Sequence, residues 1–297
     1  MKNSDFIISL SWPYGQVLKA GAWYDLIFAK KKYYQVGHSA MILVNSQTKK
    51  LYYMDFGRYH TPFGFGRARS PETDFDVSID ISANIKNGSI LNIKEILMDA
   101  YNKEANHGDG TLYASVIPNV DFNSVINYTR KLQNKGLIPY GPFHYQGLNC
   151  TRFVAMAIKN SGIPFAQSLS CKIYDIMLRI PLLRKISINH HYNFIIKNKI
   201  SEKKISSKII PRPKNISKSS KLLNGVGCSA WFHLSEEKNL YRIKRFSENG
   251  KEESSGLFSV NDVNFKINQD YHLTYVSHCK TCKIIQNNRI YEFNRVK

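Results

Sequence analysis

Two apolar runs, "YYQVGHSAMILVN" at 33–45 and "KKLYYMDFGRY" at 49–59, constrain the fold more than any other part of this chain. Both are rich in β-branched and aromatic residues, and the polar stretch Asn45–Lys50 between them suits the turn of a hairpin. Two polar side chains interrupt the pattern: His38 heads "SAMILV", and Asp55 stands inside "LYYMDFG". An imidazole or a carboxylate in such surroundings costs free energy unless it finds partners. Side chains on one face of neighbouring strands can touch, so Asp55 is placed to accept the N–H of His38. A purely structural His–Asp pair, or a surface Asp55 in a turn, would satisfy the same pattern.

A second stretch, "YGPFHYQGLNCTRFVAMAIKNSG" at 140–162, sets a thiol at a chemical boundary. Before Cys150 the chain is rich in Pro, Gly and aromatics. After it Phe153, Val154, Ala157 and Ile158 recur at helical spacing until Gly162. A helix start presents unpaired N–H groups and a partial positive charge, both of which favour a thiolate. Thiolate chemistry also needs an imidazole to share the proton, and a third group to fix the imidazole tautomer. Cys150 is the candidate nucleophile and His38 the candidate base. Asp55 is the candidate orienting group, with His60 and, more weakly, Tyr52 competing for that place. A buried structural cysteine is the plainer alternative for Cys150.

"GHSAMILV" followed much later by "GLNCTRFVAMAI" resembles the circularly permuted branch of the NlpC/P60 superfamily of papain-like cysteine hydrolases. That branch includes the lecithin:retinol acyltransferase-like proteins, and in it the His strand precedes the Cys helix. The segment "DFGRYHTPFGFGRARSPETD" resembles an uncharacterised Bacteroidetes-type family within the branch. The resemblance covers roughly residues 1–165. It implies an α+β, permuted papain-like fold with an antiparallel sheet packed on helices. It also implies a Cys150–His38–Asp55 triad attacking an amide or ester through a thioester acyl-enzyme, with no cofactor. The substrate would be a small molecule, peptide or lipid carrying an acyl group. Two departures stand out. The superfamily's third group lies about a dozen positions after the first His, which here is Lys50, and Asp55 is reached only through a longer hairpin. Thr151 and Arg152 replace the acidic residue that follows the Cys in the acyltransferases.

Arg58, Arg67 and Arg69 sit among Gly57, Gly64 and Gly66 in a segment read as a loop. Beside an active site such arginines suit forked recognition of a carboxylate or phosphate. They suit equally well salt bridges to Glu72, Asp74 or Asp76. With Asn149 and His60 they form the candidate substrate-binding set. Near the C-terminus Cys279 and Cys282 have the spacing of half a zinc site, which Cys228 with His278 or His272 could complete. There is no second tight pair, so no metal is expected.

Elsewhere the pattern predicts a short strand at 4–10, a helix over 16–30, another near 92–105, a strand at "TLYASVIP" and a helix capped by Asp121. Four regions follow: a papain-like domain at 1–165, a basic helical extension at 166–200, a basic linker at 201–224, and a small β-rich module at 225–297. The composition has 42 Lys+Arg against 22 Asp+Glu, a formal net charge of +20, which attracts polyanions. Helix-turn-helix, zinc-finger and RNP-type patterns are missing, so nucleic acid is not the expected partner. The apolar, basic segment at 171–199 makes an anionic membrane surface a candidate partner instead. Neither a secretory signal nor a transmembrane run is legible, and the five scattered cysteines do not form a disulfide framework. A cytoplasmic location is the expectation. The rival reading is a catalytically silent module that holds an anionic lipid, cell-wall fragment or nucleic acid.

Overall fold

The structure, a computed structural model, describes residues 5–13, 16–18, 26, 33–35, 37–141, 144–163, 194–196, 210–225, 228–275 and 277–296. Two units are distinguished. The first comprises Met1–Gly57, Gly66–Pro71 and Val77–Lys203, and the second comprises Arg58–Phe65, Glu72–Asp76 and Lys204–Lys297.

The first unit is built on strands β1 (Asp5–Trp12), β4 (His38–Val44), β5 (Leu51–Gly57), β6 (Phe65–Arg69), β9 (Leu112–Val120), β10 (Ile138–Pro139) and β11 (Phe194–Ile196). They form one sheet in the order β10-β6-β5-β4-β1-β9-β11. The hairpin legible at 33–59 is present: β4 and β5 pair antiparallel, with Val44 opposite Leu51 and Ala40 opposite Asp55. Short ribbons β2 (Gln16–Leu18) with β3 (Tyr33–Gln35), and β7 (Ile85–Lys86) with β8 (Ser89–Ile90), lie outside this sheet.

Three helices cover the sheet on two sides. Helix α1 (Ile93–Asn102) packs Ile93, Ile96, Leu97 and Ala100 against Phe6, Ile8, Leu10, Ala40, Ile42 and Tyr53. Helices α2 (Phe122–Lys135) and α3 (Cys150–Lys159) pack Val125, Phe153, Val154 and Ala157 against Ile7, Met41, Leu43, Met54 and Phe56. Successive residues of a strand point to opposite faces. Because both faces are covered, β1, β4 and β5 are continuous apolar runs rather than alternating ones. A slip of one residue would exchange the two cores, so the register is strongly fixed. Each fully buried Ile or Leu contributes about 2 kcal/mol.

Helix starts follow their caps. Asp121 accepts from the N–H groups of Asn123 and Ser124 at the head of α2, and Asn149 accepts from Arg152 N at 2.8 Å at the head of α3.

Four expectations are corrected. Gln16–Leu18, expected at the start of a helix, is a strand paired with Tyr33–Gln35; residues 19–25 and 27–30 lie outside the described residues. Residues 33–45 are not one strand but two, parted at Gly37. There φ is +63°, and a Cβ would lie 1.8 Å from the Trp12 carbonyl oxygen, so only glycine fits. "FGRAR", read as loop, is strand β6, with Ala68 opposite Phe56 and Arg67 opposite Gly57. Within the stretch expected to be a helical extension, Phe194–Ile196 is a strand on the edge beside β9, where pairing overrides local propensity. The rest of that stretch, including the candidate membrane segment apart from these three residues, lies outside the described residues.

In the second unit, strands β12 (Lys221–Leu223), β13 (Ala230–Glu237), β14 (Leu240–Ser247), β15 (Glu252–Val260), β16 (His272–Leu273), β17 (Thr281–Gln286) and β18 (Arg289–Arg295) form a sheet in the order β12-β13-β14-β15-β18-β17-β16. Its core is aromatic: Phe265 meets Phe293 and Tyr291 edge to face, with centroids 5.0 and 5.4 Å apart. Arg245, 2% exposed, is enclosed by carboxylates. Asp74 Oδ1 accepts from it at 2.7 Å, Asp76 accepts a second bond, and Glu253 lies 2.9 Å from its Nε. Asp74 and Asp76, which the sequence offered to Arg58, Arg67 and Arg69, are therefore engaged by an arginine from β14. No helix among the described residues is long and apolar enough to cross a membrane.

Candidate active site

His38 opens β4, Asp55 lies near the end of β5, and Cys150 is the first residue of α3. Asp55 stands opposite Ala40, two positions beyond His38 on the same face, so His38 and Asp55 are diagonal neighbours. His38 Nε2 lies 3.2 Å from Asp55 Oδ2. A second hydrogen bond joins His38 to the Cys150 side chain. Three groups separated by up to 112 positions in the chain are thus joined through one imidazole. Cys150 is 2% exposed and the His38 side chain 13%.

The surroundings hold the imidazole in place. Trp12 pairs with His38 in the β1–β4 register, and the two rings stack with centroids 5.9 Å apart and planes 23° apart. Gly108 packs against the same indole, where a Cβ would come within 2.3 Å of a ring carbon. On the α3 side, Thr151 Oγ1 lies 3.9 Å from Cys150 Sγ and 3.3 Å from Ser39 Oγ, tying the head of the helix to β4.

Asp55 is fully buried and is anchored by Arg69. Arg69 Nε donates to Oδ1 at 3.0 Å and Nη2 to Oδ2 at 2.7 Å, while the Tyr53 hydroxyl donates to Oδ2 at 3.3 Å. Burial alone would raise the Asp55 pKa. The Arg69 charge and the His38 hydrogen bond override it and hold the carboxyl well below the usual carboxylate range. For His38, burial favours the neutral ring, but hydrogen bonds and charge from Asp55 and Cys150 prevail and raise its pKa to about 9.

These shifts make a testable statement about stability. A raised histidine contributes stability that is complete below its unfolded value of 6.5 and is lost as pH rises through about 9. The depressed Asp55 acts in the opposite sense: its contribution is present above about pH 4 and is lost only in strong acid. The shift of His38 corresponds to at most about 3 kcal/mol. Urea unfolding of the wild type and of His38→Gln should therefore differ by that order at pH 6, and the gap should close by pH 10. A gap that does not change with pH would show that the imidazole is not charged in the folded state.

The other sequence candidates are distributed differently. Asn149 adjoins Cys150 and caps α3 through Oδ1, and its Nδ2 is buried with no hydrogen-bond partner. Trp12 Nε1 is likewise buried and unpartnered. Arg69 is not a fork held out to substrate: at 1% exposure it is committed to Asp55, with a further bond to Ala105 O at 2.8 Å. Arg67 is buried in β6, and Arg58 belongs to the second unit. His60 is not part of the His38 cluster. It lies in the second unit with its Nε2 3.4 Å from Cys228 Sγ. Tyr52 points to the other face of the sheet, against Phe122 at 5.3 Å.

In the second unit Cys282, on β17, and Cys279, in the bend just before it, are buried free thiols. Burial pushes both upward, Cys282 to about 12. Among the described residues no group of three or more His, Cys, Asp or Glu side chains is placed to hold a metal ion. Sequence reasoning missed Trp12, Tyr53 and Arg69 as supports of the imidazole and its carboxylate. The parity of Tyr53 with Asp55 was a usable signal. Arg69 was hidden because its strand was read as loop.

Fold and site together define an α+β protein whose sheet and helix start bring a thiol, an imidazole and an anchored carboxylate into contact. A family model described as type VI secretion system effector TseH-like matches residues 7–163, and the chain belongs to that family. A second model, the DUF6695 C-terminal domain, matches residues 220–296. Among solved structures, the crystal structure of the type VI secretion system effector TseH is similar to this chain at 19% identity. It covers 57% of this chain and 88% of its own, with a TM-score of 0.38. No curated protein matches.

Proposed function

We propose that this chain is a papain-like cysteine hydrolase or acyltransferase of the permuted NlpC/P60 type, acting on an amide or ester through Cys150, His38 and Asp55. The observation that carries the reading is the imidazole of His38, bonded on one side to Asp55 and on the other to the thiol at the head of α3. The chain order of His strand, Asp strand and Cys helix supports the permuted arrangement. The family's description as a secretion effector supports a further reading, that the activity is delivered outside the producing cell.

In the proposed cycle the Cys150 proton already rests on His38 as a thiolate–imidazolium pair, in keeping with the raised His38 pKa, and the thiolate attacks the substrate carbonyl carbon. The tetrahedral oxyanion takes hydrogen bonds from the backbone N–H of Cys150, at the first turn of α3, and from Asn149 Nδ2. His38 then protonates the leaving amine or alcohol, and a thioester remains on Cys150. Water or another acceptor gives a proton back to His38, attacks the thioester and releases the acyl group. Asp55, fixed by Arg69, keeps the ring in the tautomer this requires.

The test is direct. Incubation with an activated ester such as p-nitrophenyl acetate should add one acetyl mass to Cys150, located by peptide mapping and removed by hydroxylamine. Acetylation confined to other cysteines, or none at all, would overturn the assignment and leave the binding-module reading.

A further inference from the structure

Four of the five cysteines fall in described parts of the chain, and they differ sharply in setting. Cys279 and Cys282 are buried with their thiols pushed upward, and Cys150 is enclosed beside His38. Cys228 is the one that is only half-buried. Its sulfur lies 3.4 Å from Nε2 of His60, a histidine 2% exposed.

The contact is held at two points. The backbone N–H of His60 donates to the Cys228 carbonyl at 3.0 Å, so main chain and side chains of the two residues meet together. His60 adopts a left-handed backbone at φ 50°, uncommon for a non-glycine residue. Gly225 closes the other side, where a Cβ would lie 2.3 Å from the Cys228 oxygen and 3.0 Å from the His60 nitrogen. The imidazole is therefore inside, while Cys228 is only half-buried. That arrangement suits an attacking thiol better than a packed one.

We propose that Cys228 and His60 form a second thiol–imidazole centre in the C-terminal unit, a modification site that takes small disulfides. The Cys228 proton moves to His60 Nε2, and the thiolate attacks one sulfur of a low-molecular-weight disulfide RSSR. The S–S bond of RSSR breaks as the Cys228–S–S–R bond forms. The departing RS⁻ takes the proton from His60 and leaves as RSH. Cys228 is oxidised and one sulfur of the small disulfide is reduced, with no other reactant. His60 and Cys228 both belong to the second unit, whereas His38, Asp55 and Cys150 belong to the first.

Full-length protein treated with glutathione disulfide and mapped by mass spectrometry should carry glutathione on Cys228. The pH profile of Cys228 alkylation by iodoacetamide should have its midpoint at least about one unit below the 8.5 of an ordinary thiol. In His60→Asn the midpoint should return to about 8.5, and the rate at pH 6 should fall about threefold, the gain in thiolate being partly offset by lower nucleophilicity. If His60→Asn does not fold, the imidazole titration of His60 by NMR, compared between wild type and Cys228→Ser, replaces it: removing the thiolate should lower the imidazole pKa. A wild-type midpoint at 8.5 or above, or no glutathione on Cys228, would overturn the proposal. Mapping separates this outcome from that at Cys150, so either centre can fail without the other.

Discussion

Cys150→Ala is expected to leave a folded protein with no acyl adduct on α3 and with turnover of any acyl substrate reduced by at least about a thousandfold, equivalent to about 4 kcal/mol of barrier. The thiol is small and packed, so its loss removes few contacts, and the cost to stability should stay near about 1 kcal/mol. Chemistry and fold therefore separate cleanly. Far-UV circular dichroism and the urea midpoint should barely move while acylation disappears. Cys228→Ala is the control, because it removes the most open described thiol and should leave the adduct at Cys150 intact. Full activity in Cys150→Ala would end the nucleophile assignment whatever the geometry.

The second large effect belongs to Asp55. Asp55→Asn strips the buried Arg69 of its carboxylate and His38 of its anchor. Breaking one partner of a buried ion pair costs about 3–5 kcal/mol, and losing the orienting carboxylate of a triad costs about 10⁴ in rate. The two losses can be told apart. In the double variant Asp55→Asn with Arg69→Gln the unpaired charge is gone, so part of the stability should return. Activity should not return, because the imidazole is still without its acceptor. If Asp55→Asn were to retain turnover while losing stability, Asp55 would be a structural residue that happens to touch His38.

Much of this site could be read from residue order alone, for physical reasons. A histidine and an aspartate inside apolar strands are conspicuous because burial penalises them, and the hairpin between them is short enough for the pairing to be inferred. Cys150 was conspicuous because a stretch rich in Pro, Gly and aromatics ends at it and helical apolar spacing begins just after it. What stayed hidden was non-local. "FGRAR" lacks the apolar signature of a strand because Arg67 and Arg69 occupy buried positions, so the bond from Arg69 to Asp55 could not be foreseen. Phe194–Ile196 takes its conformation from β9, some 80 positions earlier in the chain, which no local pattern encodes. His60 was weighed as a rival of Asp55 for the third place because it follows closely after "DFGRY", yet the sulfur its ring meets, that of Cys228, lies 168 residues away.

The carboxylates around Arg245 bear on how such a chain can have been assembled. Asp74 and Asp76 are contributed from a short insertion that the chain makes long before it begins β12. The last ninety-odd residues alone carry the cation with Glu253 but without Asp74 and Asp76. A chain given this tail without residues 72–76 would therefore bury Arg245 with one carboxylate instead of three, a mismatch that a single crossover ahead of β12 would create.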